Sequence, residues 1–200
     1  MKKDISHYFS AKNVKKGKKV LIPLYIHGLS LEFLSYTSLF SGTSIDKGTL
    51  LLLENIIVPD KGVVLDIGCG YGVIGITVAK MNPRLKVYMI DINPLAVKTA
   101  RYNARLNNVE DQVEVIQGNL YEPVKNMVFK AIYSNPPLSA GKDVVKQITI
   151  KAREHLEPSG FIQVVLSRGH EYYMDIVKKH YAKTITIKKK GYLIITAYMK

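Results

Sequence analysis

The run Val63-Val-Leu-Asp-Ile67 opens directly onto Gly68-Cys-Gly-Tyr-Gly72. A short apolar run closed by alternating glycines predicts a buried parallel strand and a turn tight enough for a ligand to approach the backbone. The same grammar then repeats along the chain. Tyr71 to Met81 has helical spacing and stops at Asn82-Pro83. Lys86 to Ile90 is a second strand ending at Asp91, after which Asn93 caps a helix with Pro94 in its first position, reaching Asn107-Asn108. Val113 to Ile116 is a third strand, and Phe129 to Tyr133 a fourth, stopped by Asn135-Pro136-Pro137. The spacing predicts a helix over Asp143–His155, broken by Glu157-Pro-Ser-Gly160, then a fifth strand over Phe161–Leu166. A helix near Tyr172–His180 and two closing strands, Thr184–Ile187 and Tyr192–Tyr198, complete the pattern. Lys190-Gly191 between those strands suits an antiparallel hairpin.

Strand and helix alternating from residue 63 onward predict an α/β fold. The expected architecture is a Rossmann-like, doubly wound, mostly parallel sheet with an antiparallel C-terminal strand. Ligands of such sheets bind at the carboxyl ends of the strands. Gly68–Gly72, Asp91, Asn119 and Asn135 all fall there, in four separate loops. Residues 1–48 read as a basic N-terminal extension bordering the site, with short strands at Val20–Ile26 and Ser30–Leu34 turning through Gly28. Residues 49–200 read as the catalytic unit, its first helix running Thr49–Val58 behind an Asp46 cap.

Composition narrows the class. Two hundred residues, 47% hydrophobic, suit one globular domain with a sizeable core. The N-terminal lysines are followed by no apolar run, and no stretch matches the roughly 18 uncharged residues of a membrane span, so neither a secretory signal nor a membrane is expected. One cysteine excludes an internal disulfide framework and suits a reducing cytoplasm. Five scattered histidines and a lone Cys69 argue no metal site. The net charge of +13 is lodged at the two ends. Residues 1–19 carry seven Lys and one Asp, and residues 178–200 seven Lys and no acid. The intervening 158 residues balance at fifteen basic and fifteen acidic. Such ends serve solubility, or they are a polyanion footprint on a neutral body, with Lys15, Lys16, Lys18 and Lys19 as candidate phosphate contacts.

The strand-end residues suggest a nucleoside ligand. Gly68, Gly70 and Gly72 let backbone amides approach it, with Cys69 and Tyr71 between them. Asp91, followed by Ile92, can accept from two ribose hydroxyls. Asn119, followed by Leu120, can reach an adenine amine, and Asp66 an ammonium, directly or through water. Gly70-Tyr-Gly72-Val-Ile-Gly75 is also a literal dinucleotide fingerprint. Two features oppose that reading. Gly68 already closes the strand, and the Asp66 charge lies where a pyrophosphate would pass.

Asn135-Pro136-Pro137 adds a second chemistry. Each proline presets φ at about −65°, so the turn is stiff. It can offer two acceptors to a planar amine or amide. An exocyclic amine of guanine or adenine is a poor nucleophile, because its lone pair is delocalised into the ring. Two acceptors that hold both N–H bonds let the nitrogen pyramidalise and aim that pair.

Together, Asp66-x-Gly68-x-Gly70-x-Gly72, Asp91 and Asn135-Pro-Pro137 resemble the class I S-adenosylmethionine-dependent methyltransferases. Leu39-Phe-Ser-x-x-x-Ile-Asp46-x-Gly48-Thr49 and Ser134-Asn-Pro-Pro-Leu-Ser-Ala-Gly-Lys142 bring the chain closer to the ribosomal RNA guanine-N2 methyltransferase C family, over residues 29–170. The resemblance implies S-adenosyl-L-methionine as cofactor and RNA as partner. It implies Asp46, Gly48 and Thr49 closing the cofactor pocket, and the Asn135 side-chain oxygen with the Pro136 carbonyl as the two acceptors. It also places the closing hairpin in the far part of the sheet. The family's aromatic residue after the prolines is Leu138 here, which can contact a base face but gives up stacking. Tyr133, Phe40 and Tyr71 are candidates to supply a ring, against their reading as core or rim packing. A protein glutamine-N5 methyltransferase, an adenine-N6 enzyme and a non-catalytic RNA-binding module remain alternatives. The second domain of longer family members is missing, which implies a partner subunit or a homodimer.

Overall fold

A computed structural model describes residues 17–136, 141–167 and 170–200. The described chain opens with β1 (Lys19–Ile26), β2 (Leu29–Tyr36) and α1 (Lys47–Glu54). The alternating unit follows as β3 (Gly62–Ile67), α2 (Val73–Met81), β4 (Leu85–Asp91), α3 (Pro94–Leu106), β5 (Val113–Gln117), β6 (Phe129–Ser134), α4 (Gly141–Lys151), β7 (Leu156–Ser167) and α5 (His170–His180). It closes with β8 (Lys183–Lys189) and β9 (Tyr192–Tyr198). The main sheet has seven strands in the order β5-β4-β3-β6-β7-β9-β8. β3 lies parallel to both β4 and β6, so the junction at Ile67 is central. β9 inserts antiparallel between β7 and β8. This is the doubly wound, mostly parallel α/β sheet the alternation predicts.

Successive β3 side chains enter opposite cores, as the strand period requires. Val64 joins Leu52, Ile76, Met89 and Ala100 on one face. Leu65 and Ile67 join Phe129, Ile132, Ile148 and Val177 on the other. Among the described residues, no helix is long and apolar enough to cross a membrane.

Several boundaries differ from the sequence reading, among them the helix expected to reach His155, whose α-helical part ends at Lys151 before a 3-10 turn over Ala152–His155. Two have a tertiary cause. α1 ends at Glu54 and not at Val58, because tertiary bonds take over. The Gln163 amide donates to Asn55 O at 2.9 Å and accepts from Ile57 N–H at 3.1 Å, drawing the backbone off the helix axis. β7 begins at Leu156 and not at Phe161, running through the Glu157-Pro-Ser-Gly160 segment that follows the end of the preceding helical turns. The β6–β7 ladder absorbs those residues by an irregularity, Phe129 pairing with Leu156 and Ala131 with Phe161.

The β1–β2 hairpin belongs to the first core through Leu24, Leu31 and Phe33. Its open edge is met by α3 in an unusual way. Asn103 accepts from Leu34 N–H at 2.8 Å and donates to Leu34 O at 2.9 Å. One turn on, Asn107 accepts from Glu32 N–H at 3.1 Å and donates to Glu32 O at 2.8 Å. Two amides four residues apart on a helix thus do for β2 what a neighbouring strand does, satisfying alternate backbone groups.

Candidate active site

Gly68 and Gly70 have φ of +69° and +57°, and a Cβ built on either meets nothing within 4 Å. Side chains there would project into an open groove, so these glycines keep a cradle clear. Gly72 and Gly75 are small for the opposite reason. A Cβ on Gly72 would come within 2.8 Å of Ile76 and Met89, and one on Gly75 within 2.7 Å of Met89. The literal G-x-G-x-x-G spacing therefore joins one groove glycine to two that let α2 pack on β4.

The cradle is tied to β4. Gly68 and Cys69 N–H donate to Ile90 O at 2.8 and 3.0 Å, and Gly70 N–H donates to Asp91 Oδ2 at 2.8 Å. Asp91 Oδ1 accepts from Asn93 N–H at 2.8 Å. Burial pushes the Asp91 carboxyl up, while N–H donors from Asn93, Gly70 and Ile92 oppose it. Each oxygen has capacity for a further donor such as a hydroxyl.

Asp66 is fully buried. Its Oδ2 accepts from Gly75 N–H at 2.9 Å, and its Oδ1 has no partner. Burial raises this carboxyl to about 7, the Gly75 bond pulls it down, and the Asp91 charge adds to the rise. An orphaned carboxylate oxygen two residues before an open cradle fits an ammonium-bearing nucleoside ligand. Burial, followed by the charges of Asp91 and Asp66, drives the Cys69 thiol up, so it is no thiolate nucleophile.

Asn135, at the carboxyl end of β6, faces α1. Its Nδ2 donates to Asp46 Oδ2 at 2.7 Å and to Thr49 Oγ1 at 2.8 Å. Asp46 is the N-cap of α1, and the same Oδ2 accepts from Thr49 N–H at 3.0 Å. Gly48 is required between them, since a Cβ would meet Asp46 Oδ2 at 2.9 Å and the Tyr192 ring at 3.0 Å. With both amide hydrogens committed to α1, the Asn135 Oδ1 is left for the groove. The groove is lined by Phe40, Ser41, Asp46, Thr49, Gly68, Cys69, Gly70, Tyr71, Val73, Ile74 and Asn135.

The three candidate aromatics separate clearly. Tyr133 is core, its hydroxyl donating to Ile57 O at 2.7 Å. Tyr71 is 5% exposed and packs edge-on against Phe33. Phe40 lines the groove and is 57% exposed, so it alone of the three has a free ring face. Ile92, Asn119 and Leu120 lie at the carboxyl ends of β4 and β5, outside the groove lining. Asn119 is exposed, with its amide on Glu122 at 3.3 Å. Pro136 is buried, whereas Pro137, Leu138, Lys15 and Lys16 lie outside the described residues. Lys18 and Lys19 are exposed at the start of β1, where Thr37 N–H donates to Lys18 O at 3.0 Å.

Ser41, Val73 and Ile74 line the groove without a sequence signal beyond adjacency to Phe40 and Gly72. The closing hairpin departs from expectation. β8 is the sheet's lateral edge, yet β9 runs antiparallel, so its first residue Tyr192 stands opposite Ser167, the last of β7. The β8–β9 turn therefore sits on the same carboxyl edge as the groove, with Tyr192 against Gly48 and Lys189 paired to Glu54 at 3.0 Å.

A Rossmann-like sheet with a clear glycine cradle, an acid at the second strand's tip and Asn-Pro-Pro at the fourth defines an S-adenosylmethionine-dependent methyltransferase. The chain belongs to the methyltransferase small domain family, whose model matches residues 30–196. It is 34% identical to uncharacterized protein YbxB of Bacillus subtilis over 196 residues, 96% of this chain and 97% of that protein. It is 35% identical to ribosomal RNA small subunit methyltransferase C of Psychromonas ingrahamii over 156 residues, 75% of this chain but 43% of the relative. The chain thus spans less than half the length of that enzyme. The T. thermophilus 16S rRNA N2 methyltransferase RsmC, solved with AdoMet and guanosine, superposes with a TM-score of 0.80 at 23% identity. That match covers 90% of this chain and 50% of that one and is a likeness of fold.

Proposed function

We propose that this enzyme methylates the exocyclic N2 of guanine in RNA, with ribosomal RNA as the substrate class. The observation that carries the reading is Asn135, whose Nδ2 is committed to Asp46 and Thr49 so that an acceptor faces the groove. The names of the methyltransferase C relatives support ribosomal RNA as the substrate class, and the guanosine-bound N2 methyltransferase neighbour supports the choice of base.

The residues present fit the cofactor. Gly68 and Gly70 leave room for it, Asp91 can take ribose hydroxyls, and the free Asp66 Oδ1 can take an ammonium. When bound, S-adenosylmethionine supplies an electrophilic methyl on a sulfur that leaves as a neutral thioether. The protein's share is positioning and charge placement. Asn135 Oδ1 and the Pro136 carbonyl accept the two amine N–H bonds, which draws the nitrogen lone pair out of conjugation. The same acceptors stabilise positive charge developing on the nitrogen, whose surplus proton then leaves to solvent. Phe40 offers the exposed ring face for the base, and Lys18, Lys19 and Lys188–Lys190 supply positive charge for phosphates.

The test is transfer from labelled S-adenosylmethionine to unmodified ribosomal RNA transcripts and assembled subunits, followed by nucleoside mass spectrometry. The expected product is N2-methylguanosine. Label in N6-methyladenosine, or in protein glutamine with none in RNA, would overturn the assignment.

A further inference from the structure

We infer that Asp46, with Thr49, is the positioning residue that decides which atom Asn135 presents to the acceptor nitrogen, and that this contact is why position 135 is Asn and not Asp. The inference rests on the Asn135 reading above and extends it to a residue pair on α1.

An amide side chain has two nearly isosteric ends, and only its surroundings choose between them. Here the choice is forced. An ionised carboxylate accepts and cannot donate. Asp46 Oδ2 stands 2.7 Å from the Asn135 amide, so the amide must turn its NH2 toward Asp46. The second amide hydrogen is taken by Thr49 Oγ1 at 2.8 Å. Asp46 is itself fixed: it caps α1 by accepting from Thr49 N–H, where the helix N-terminus favours its negative charge. Gly48 keeps the approach clear, and Tyr192 closes it from behind.

Two consequences follow from the chemistry. The Asn135 Oδ1 faces the groove as an acceptor, so the site selects targets that donate N–H and disfavours a carbonyl or ring nitrogen in the same place. The Asp46 charge also polarises the amide along the line from carboxylate to NH2 to carbonyl oxygen, which strengthens that acceptor as the target nitrogen gains positive charge. A carboxylate in place of the Asn135 amide would set two acids at 2.7 Å with no donor between them. The acid on α1 therefore specifies the amide on β6.

The experiment is a double-mutant cycle. Asp46→Ala, Asn135→Asp and the double variant Asp46→Ala/Asn135→Asp are assayed in the full chain. The assay uses labelled S-adenosylmethionine and whichever substrate fraction the wild type labels, so it stays valid if that fraction is not RNA. Calorimetric binding of S-adenosylmethionine identifies variants that keep the groove intact. Asn135→Asp should lose about 1,000-fold in kcat while cofactor affinity stays within a few-fold. Asp46→Ala, which removes the acceptor that orients the amide, should lose about 10- to 100-fold, in kcat more than in KM. In the double variant no second acid faces the carboxylate introduced at position 135, and the Thr49 hydroxyl, 2.8 Å from the amide nitrogen it replaces, can donate to one of its oxygens. One oxygen of that carboxylate is then left for the target. Its kcat should exceed that of Asn135→Asp at least ten-fold. A purely structural role for Asp46 makes the two losses add. A double variant that binds cofactor yet transfers no faster than Asn135→Asp would overturn the inference, as would an Asp46→Ala enzyme with wild-type kcat.

Discussion

Replacing Asn103 with Ala should uncouple the N-terminal hairpin from the catalytic body. The Asn103 side chain is fully buried and makes three bonds to backbone, with Leu34 N–H, Leu34 O and Tyr71 O, at 2.8, 2.9 and 2.8 Å. A net hydrogen bond contributes about 1 kcal/mol, and a buried group left unpartnered costs about 1–3 kcal/mol more. Alanine's better helix propensity returns about half a kcal/mol. The expected loss is therefore about 3–5 kcal/mol, a large part of the 5–15 kcal/mol typical of a domain. Asn107→Ala removes bonds to Glu32 N–H and O and to Asn103 O. Asn107 is 6% exposed where Asn103 is 0%, so water reaches its vacated partners more readily and a smaller loss, about 2–3 kcal/mol, is expected. Urea unfolding followed by circular dichroism measures both, with unchanged m values required for the comparison. Tyr71 belongs to the glycine turn, so Asn103→Ala should also weaken S-adenosylmethionine binding several-fold. An Asn103→Ala protein within about 1 kcal/mol of wild type, or one less affected than Asn107→Ala, would refute the idea that these amides stand in for a strand.

The remaining predictions concern the groove and its rim. Asp66 is more readily protonated folded than unfolded, so its contribution to stability is greatest at low pH. That contribution declines as pH rises from 3.8, the unfolded value, to about 7. A bound ammonium favours its ionised form, so cofactor affinity should rise with pH up to about 7 and proton release should accompany binding below it. Calorimetry in buffers of different ionisation enthalpy reads the release, and Asp66→Asn should abolish the slope. Asp91→Ala should weaken the cofactor by about 1.5–3 kcal/mol per lost ribose bond at most, and unchanged calorimetric affinity would remove Asp91 from the ribose site. Phe40→Ala should raise KM for RNA by about 10- to 100-fold, the worth of one stacked base, with S-adenosylmethionine affinity retained. RNA affinity should fall with salt at a log–log slope of about −0.7 to −0.9 per neutralised phosphate. Removing Lys188–Lys190 should flatten it in a filter-binding titration.

Much of this architecture is readable from pattern alone. The strand-to-glycine junction at Ile67, the Asn93-Pro94 helix start and the Lys190-Gly191 turn are local signals, and each element forms where its own residues dictate. The failures involve residues whose behaviour depends on distant partners. α1 stops at Glu54 because Gln163 takes the next backbone groups, and nothing near Asn55 announces a glutamine on β7. Glu157-Pro-Ser-Gly160 does close the helical segment, but the fifth strand begins at Leu156 and not at Phe161 because a register irregularity against β6 accommodates Pro158. For the site, Gly68–Gly72 and Asn135 are visible from their spacing, but the orientation of the Asn135 amide exists only once α1 is docked. Asn103 and Asn107 did carry a signal: two amides at helical spacing on an otherwise apolar helix face imply backbone partners.

The outer strand β8 holds a practical consequence. Nothing pairs beyond it among the described residues, and Ile185 and Ile187 are 42% and 36% exposed along its length. An open strand edge with exposed isoleucines invites a second chain to add on, and lysines are a common defence. Lys183, Lys188 and Lys189 flank those isoleucines, so the charges proposed to meet phosphates also keep one molecule's sheet from extending into another's. High salt or a polyanion weakens that repulsion. Concentrated protein is then most prone to self-association under the conditions used to measure RNA release. Glutamine substitutions discard both duties together. Glutamate at Lys183, Lys188 and Lys190 turns attraction to phosphate into repulsion and leaves an edge of net negative charge to hold copies apart, which makes it the cleaner variant for a salt titration.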